Sequence, residues 1–212
     1  MLMSLSSRGR ADRSRSGNSA LPASELTVHG LDDPRRGAVE NFIQAIYARH
    51  YGAQVLHFAP VLVGLREDGE LLAAAGYRSA AQETLFLERY LPAPVDTLLA
   101  EHAGAPPARE RIAEVGHLAA RRSGEGRRLI RLLAPHLAAQ GFEWVVGTVT
   151  QELRSTLLRL GIAPLMLGAA DPAALGDEAA LWGSYYEHQP LVLAGQLRRY
   201  VAHRPGEAEG DE

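Results

Sequence analysis

Apolar residues along this chain come in blocks whose spacing switches between the helical and the strand period. Phe42, Ile43, Ile46 and Tyr47 recur at helical intervals behind Asp33-Pro34, a cap followed by proline at the first helical position. This predicts an amphipathic first helix running to about His50. The runs Val61–Arg66 and Leu71–Arg78 flank Asp68-Gly69, the strongest short-range hairpin signal. Leu85–Leu91 is a further short apolar element of either type. Val95–His102 reads as a helix that stops at Gly104 and Pro106-Pro107. Arg111–Ala119 reads as a strand, then a glycine-containing loop, then a helix from about Gly126 to Gln140 that Gly141 closes. Phe142–Thr150 is a β-branched, buried strand, and Gln151–Leu160 a helix stopped by Gly161. Ile162–Leu167 and Leu191–Ala194 complete the strands, on either side of the aromatic stretch Trp182–Tyr186.

This order predicts a mixed α/β (α+β) sheet flanked by helices, not the full alternation of a Rossmann fold. Met1–Ser24 is rich in serine and arginine without hydrophobic periodicity and is expected to be a disordered tail. Pro205–Glu212 is expected to be a second, acidic one, leaving a single domain over 25–204. No apolar run approaches the roughly 20 residues of a membrane helix, and no apolar stretch marks a secretory signal. With no cysteine in 212 residues, disulfides, thiol nucleophiles and iron–sulfur clusters are excluded, and a cytoplasmic setting is expected. All 22 basic residues are arginine, which removes Schiff-base chemistry and a Walker-type lysine. A net charge of −3 gives no general attraction to nucleic acid or to an anionic membrane. The eight histidines show no metal-ligand spacing, so no metal is expected.

The stretch with most chemical content is Arg121-Arg122-Ser123-Gly124-Glu125-Gly126, leading into Arg127 and a helix. Glycines here let backbone approach a ligand, and the first helical turn offers unpaired N–H groups at its positive end. A pyrophosphate or phosphopantetheine phosphate suits such a site, with arginines adding charge-assisted bonds. A polar turn that merely caps a surface helix has the same composition.

The loop matches the R/Q-x-x-G-x-G/A signature of GNAT acyltransferases, as Arg121-x-x-Gly124-x-Gly126. Arg78 after Gly76, Leu85–Leu91, Glu114-Val115-Gly116-His117-Leu118-Ala119 and Trp182-Gly183-Ser184-Tyr185-Tyr186 together resemble the thermostable hemolysin family, over roughly Val39–Leu197. That family is similar to GNAT proteins, particularly acyl-homoserine-lactone and N-acyl-amino-acid synthases. The resemblance implies a GNAT-like fold and transfer of an acyl group, fatty acyl above all, from acyl-CoA or an acyl carrier protein to a small amine or amino acid. Donor contacts are then expected at Leu118, Arg121, Arg122, Gly124, Gly126 and Arg127.

In the lactone synthases a Glu-x-x-Arg segment lies on the fourth strand, and Glu114-x-x-His117 occupies the matching place. The likeness implies Glu114 as general base, with burial raising its pKa toward that task. Pairing with Arg78 is the structural alternative, and His117 is the alternative base. On a regular strand these two side chains point to opposite faces, unless Gly116 permits a bulge. His117 in place of arginine, and the absence of the synthases' N-terminal acidic motif, speak against S-adenosylmethionine as co-substrate. Tyr185 or Tyr186 is the candidate acid for the departing thiolate, with packing as the plainer role. Arg78, Thr148, Thr150 and Trp182 are candidate acceptor contacts. Two other readings stay open: a membrane-active, haemolytic protein built on the basic amphipathic helix after Gly126, and a non-catalytic module that binds acyl ligands.

Overall fold

The computed structural model describes residues 24–202. Seven strands form one sheet in the order β1-β2-β3-β4-β5-β7-β6. These are β1 (Ser24–His29), β2 (Val61–Glu67), β3 (Glu70–Ser79), β4 (Ile112–Ala120), β5 (Trp144–Val149), β6 (Leu165–Ala169) and β7 (Leu191–Gln196). Only β4 and β5 run parallel, and they pair over just three positions, from Ile112↔Trp144 to Glu114↔Val146. All other neighbours are antiparallel.

Helices α1 (Arg36–Tyr51) and α3 (Ser123–Ala139) cover opposite faces of the sheet, as side-chain alternation along β2 and β3 requires. Val39, Ile43 and Tyr47 of α1 pack on Leu62 and Ala74. Leu129, Leu133 and Leu137 of α3 pack on Val63, Leu65, Ala73 and Ala75. Helix α2 (Val95–Ala103) buries Val95 and Leu99 against Ile112 and Val146. Helices α4 (Gln151–Arg159) and α5 (Leu197–Ala202) complete the fold, and α4 buries none of its side chains. Each fully buried leucine contributes roughly 1.5–3 kcal/mol over leaving it exposed.

Several sequence expectations need correction. The first element is not the helix behind Asp33-Pro34 but β1, which the pattern hid because its buried Thr27 and His29 are polar. Thr27 and His29 are buried, whereas Val28 is 42% exposed. The His29 ring bridges Asp33 (3.0 Å) and Thr27 (2.9 Å), and the Thr27 hydroxyl donates to the Gly64 carbonyl. Asp33-Pro34 forms a turn, and α1 starts at Arg36. Ser24 belongs to β1, and the rest of the expected N-terminal tail, like Pro205–Glu212, lies outside the described residues. Leu85–Leu91 centres on a 3₁₀ turn, Phe86–Tyr90. Helix α3 begins at Ser123, three residues before the expected start, so both loop glycines lie in its first turn. β6 begins at Leu165, not Ile162, and α5 had no counterpart in the pattern.

Candidate active site

Past Glu114↔Val146 the two parallel strands part. β4 continues paired only with β3, and β5 only with β7. The facing backbone groups of Val115–Ala119 and Gly147–Val149 therefore lack a strand partner across the opening. A cavity of about 930 Å³ fills this V and reaches both faces of the sheet, a size that accommodates a ligand well beyond a metabolite fragment.

Register slips between β3 and β4, where Gly76↔Gly116 is followed by Ala74↔Ala119. Ala75 alone faces His117 and Leu118, so β4 carries the bulge. The left-handed residue is His117 (φ 55°), not Gly116. The extra residue resets the alternation: His117 now shares with Glu114 the side of the sheet that carries α1, and the Arg78 charge acts on both. His117 Nε2 donates to the His57 carbonyl (3.1 Å) and its ring lies by Phe58. Nδ1 is buried without a hydrogen bond, pressed toward Gly76. Burial, followed by Arg78, pushes the imidazole pKa down to about 4, so the ring is neutral.

The buried Glu114 carboxylate faces the 3₁₀ turn. Oε2 accepts the Phe86 N–H (3.0 Å) and Oε1 the Leu87 N–H (2.9 Å), and the Arg78 Nε stands 3.3 Å from Oε2 as an ion pair. Burial raises its pKa, and these donors oppose the rise. The same turn is held from behind by Glu88, which accepts the Leu85 and Val95 N–H groups and a two-pronged Arg109.

Of the expected donor residues, Leu118, Gly126 and Arg127 line the cavity. Arg121 does not: it pairs with Glu70 and lies over the Phe42 ring, 5.8 Å away. Arg122 and Gly124 also stand outside the lining, and the Arg122 N–H donates to Glu125 (3.0 Å), whose carboxylate caps α3. Arg78, Thr148, Thr150 and Trp182 all border the cavity, Thr150 as the cap of α4.

Both candidate tyrosines also border it, with their hydroxyls engaged. Tyr185 is buried and donates to the Thr148 carbonyl (3.2 Å), and Tyr186 pairs with the Tyr90 hydroxyl (2.6 Å). Sequence reasoning missed Tyr47, Tyr51, Phe86 and Tyr90 as site residues. Tyr47 and Tyr51 are spaced i, i+4 at the end of α1, a periodicity that reads as core. Their ring neighbours Tyr185 and Trp182 join them into one aromatic wall.

Gly183 lets the chain close tightly against this wall. Its φ is 52°, and a methyl group there would lie 2.0 Å from the Tyr51 carbonyl oxygen. Only glycine lets Ser184 N–H reach that carbonyl, at 2.8 Å.

Residues 29–201 match the model of the thermostable hemolysin family. The chain belongs to that family. No curated protein sequence matches it significantly. Among solved structures, the acyl-homoserine-lactone synthase LasI is similar at 14% identity and a TM-score of 0.57, covering 83% of this chain and 91% of that one. FeeM, an N-acyl amino acid synthase from uncultured soil microbes, is similar at 15% identity and a TM-score of 0.56, covering 87% and 95%. MesI, a CoA-dependent acyl-homoserine lactone synthase, is similar at 13% identity and 0.52, covering 82% and 89%. At these identities the likeness is one of fold. This thermostable hemolysin family member has a GNAT-like fold, as its sequence motifs implied.

Proposed function

We propose that the protein is an N-acyltransferase, moving an acyl group from a phosphopantetheine thioester to a small amine or amino acid by direct attack. The observation that carries this reading is the V between β4 and β5, with unpartnered backbone on both arms and a cavity between them. The amides of a pantetheine arm can pair there as an inserted strand would. At the open end stand Arg127 and the first turn of α3, where Ser123 and Gly124 have no intrahelical acceptor for their N–H groups. CoA or an acyl carrier protein, the cytoplasmic carriers of such thioesters, fits this end.

On the α3 face the cavity is apolar, lined by Ile130, Leu133, Ala134, Leu137 and Leu197. From α4, Leu153 and Leu157 turn toward the same void. A fatty acyl chain fits this arm. The aromatic wall with Phe86 and Trp182 forms the acceptor arm on the other face. N–H groups freed by the bulge at His117 would polarise the thioester carbonyl. Glu114 takes the amine proton: its two backbone hydrogen bonds leave lone-pair positions unused, and burial favours the protonated form. His117 Nδ1 is turned from the cavity toward Gly76, which makes His117 the keystone of the bulge.

A lytic role has less support, because the apolar stripe of α3 (Leu129, Leu133, Leu137) is spent on the sheet. The test is incubation with acyl-CoA and acyl-carrier-protein thioesters plus pooled amines and amino acids, following thiol release and product mass. Acceptor-dependent release is expected. Donor binding without release would leave an acyl-ligand-binding module, and neither binding nor release would sink the reading.

A further inference from the structure

Arg78 and Arg89 both border the acceptor arm, but their donors are used differently. Arg78 stands between two carboxylates, Glu114 at 3.3 Å and Glu83 at 3.1 Å. Arg89 comes from the 3₁₀ turn Phe86–Tyr90, and its side chain is 35% exposed. Its guanidinium lies over the Phe86 ring, 5.2 Å from the centroid, and Nη1 donates to Glu178 at 2.6 Å. Nε and Nη2 lie along one edge of the planar group, and neither donates to another described residue. Glu178 is itself 36% exposed and takes a single donor, so that edge stays clear.

The turn sets this edge in register with the reacting centre. Phe86 and Leu87 give their N–H groups to the Glu114 carboxylate, so Arg89, two residues on, is tied to the group that receives the amine proton. On the same wall Tyr90 and Tyr186 share one hydrogen bond (2.6 Å), which uses one of their two hydroxyl protons. The Arg89 charge acts on both of these hydroxyls. A clear guanidinium edge beside an unspent hydroxyl proton, on an otherwise aromatic wall, matches a carboxylate. The edge offers it two parallel N–H···O bonds and the phenol a third donor.

Resting on the acyl-transfer reading above, we propose that Arg89 selects the acceptor by binding a carboxylate on the incoming amine, so that the acceptor is an amino acid and not a simple amine. The amine end of the acceptor meets Glu114, its carboxylate meets the Nε–Nη2 edge of Arg89, and the rest of it lies against the aromatic wall. Glu178 aims the guanidinium from the rim, as an exposed partner that a ligand need not displace.

The experiment pairs amino acids with the amines that lack only the α-carboxylate: leucine with 3-methylbutylamine, phenylalanine with 2-phenylethylamine, and lysine with 1,5-diaminopentane. Decanoyl-CoA and decanoyl-acyl-carrier-protein are the donors. The wild type should favour the carboxylated partner about tenfold to a hundredfold in kcat/KM, chiefly through KM. Arg89→Gln should collapse that preference to about twofold or less by raising the KM of the amino acid. Arg89→Lys keeps a charge opposite Glu178 but not the fork; it should retain only part of the preference, and carries the test if Arg89→Gln does not fold. Glu178→Gln breaks the ion pair across the rim and leaves the guanidinium, so the preference should survive. A wild type indifferent to the carboxylate, an Arg89→Gln enzyme that keeps the preference, or a Glu178→Gln enzyme that loses it to the same degree overturns the assignment and leaves acyl transfer standing. A wild type that releases thiol from neither donor with any acceptor overturns the acyl-transfer reading, and the assignment with it.

Discussion

Gly147 sits against the carbonyl oxygen of Val115 so closely that a methyl group there would lie 2.7 Å from it. Gly147 directly follows Val146, the last residue of β5 paired with β4, so the strands begin to part at this contact. The sheet can thus pass from a paired ladder to an open V within one residue. Gly147→Ala should force the arms apart or shift their register, at a cost of about 1–3 kcal/mol. Denaturant unfolding measures the cost, and donor titration should show weakened binding. An unchanged midpoint together with unchanged binding would mean that the vertex tolerates more than this contact implies.

Glu114 joins two parts of the site, the vertex of the V and the turn carrying Phe86 and Tyr90. Glu114→Gln puts an amide NH₂ where two backbone N–H groups now find acceptors and Arg78 its counter-charge, leaving at least one donor unmatched. The loss of a buried, paired carboxylate should cost about 2–4 kcal/mol. If Glu114 only holds the turn, the acceptor KM rises while kcat changes little. If it also takes the amine proton, kcat falls on the order of 10²-fold or more and the acid limb of the rate profile disappears. The second outcome is expected.

His117 predicts a pH dependence of stability. Its pKa is about 4 in the folded protein against an ordinary 6.5, so the native state binds the proton less readily than the unfolded chain. The stability contributed by the neutral ring is complete above pH 6.5 and is lost as the pH falls from there toward 4. The full difference amounts to at most about 3 kcal/mol. His117→Asn, whose side chain also suits a left-handed backbone position, should flatten the unfolding free energy across this window. A profile as steep as that of the wild type would place the acid sensitivity elsewhere.

The middle of the sheet was readable in the sequence because its signals are local. Asp68-Gly69 sets a hairpin by its own backbone preferences, and the stop at Gly161 falls within two residues of the end of α4. β1 was not readable, since Thr27 and His29 face inward and their hydrogen bonds reach Gly64 and Asp33, partners that no strand periodicity encodes. The site shows the same divide. Motif spacing drew attention to Glu114, His117 and the aromatic stretch, but not to the bulge that turns His117 to the side of Glu114. Nor could it reveal that Tyr185 gives its proton to the Thr148 carbonyl. Those facts depend on which strands part and where, a property of the whole sheet.

The arginines of the Arg121–Arg127 segment divide by their partners, and this yields the last prediction. Arg121 fits the GNAT-like signature, yet its guanidinium pairs with Glu70 and covers Phe42, on the α1 side of the sheet. Arg127 is exposed at the cavity edge, and among the described residues no carboxylate pairs with it. Arg127→Ala should therefore weaken acyl-CoA binding about tenfold at low salt, and the difference should shrink as ionic strength rises. Arg121→Ala should leave the affinity within about twofold and cost no more than about 1 kcal/mol of stability, as expected for an exposed pair. Calorimetric titration of both variants at two salt concentrations reads these effects. The opposite ranking would mean that bound donor draws Arg121 away from Glu70 and across the loop.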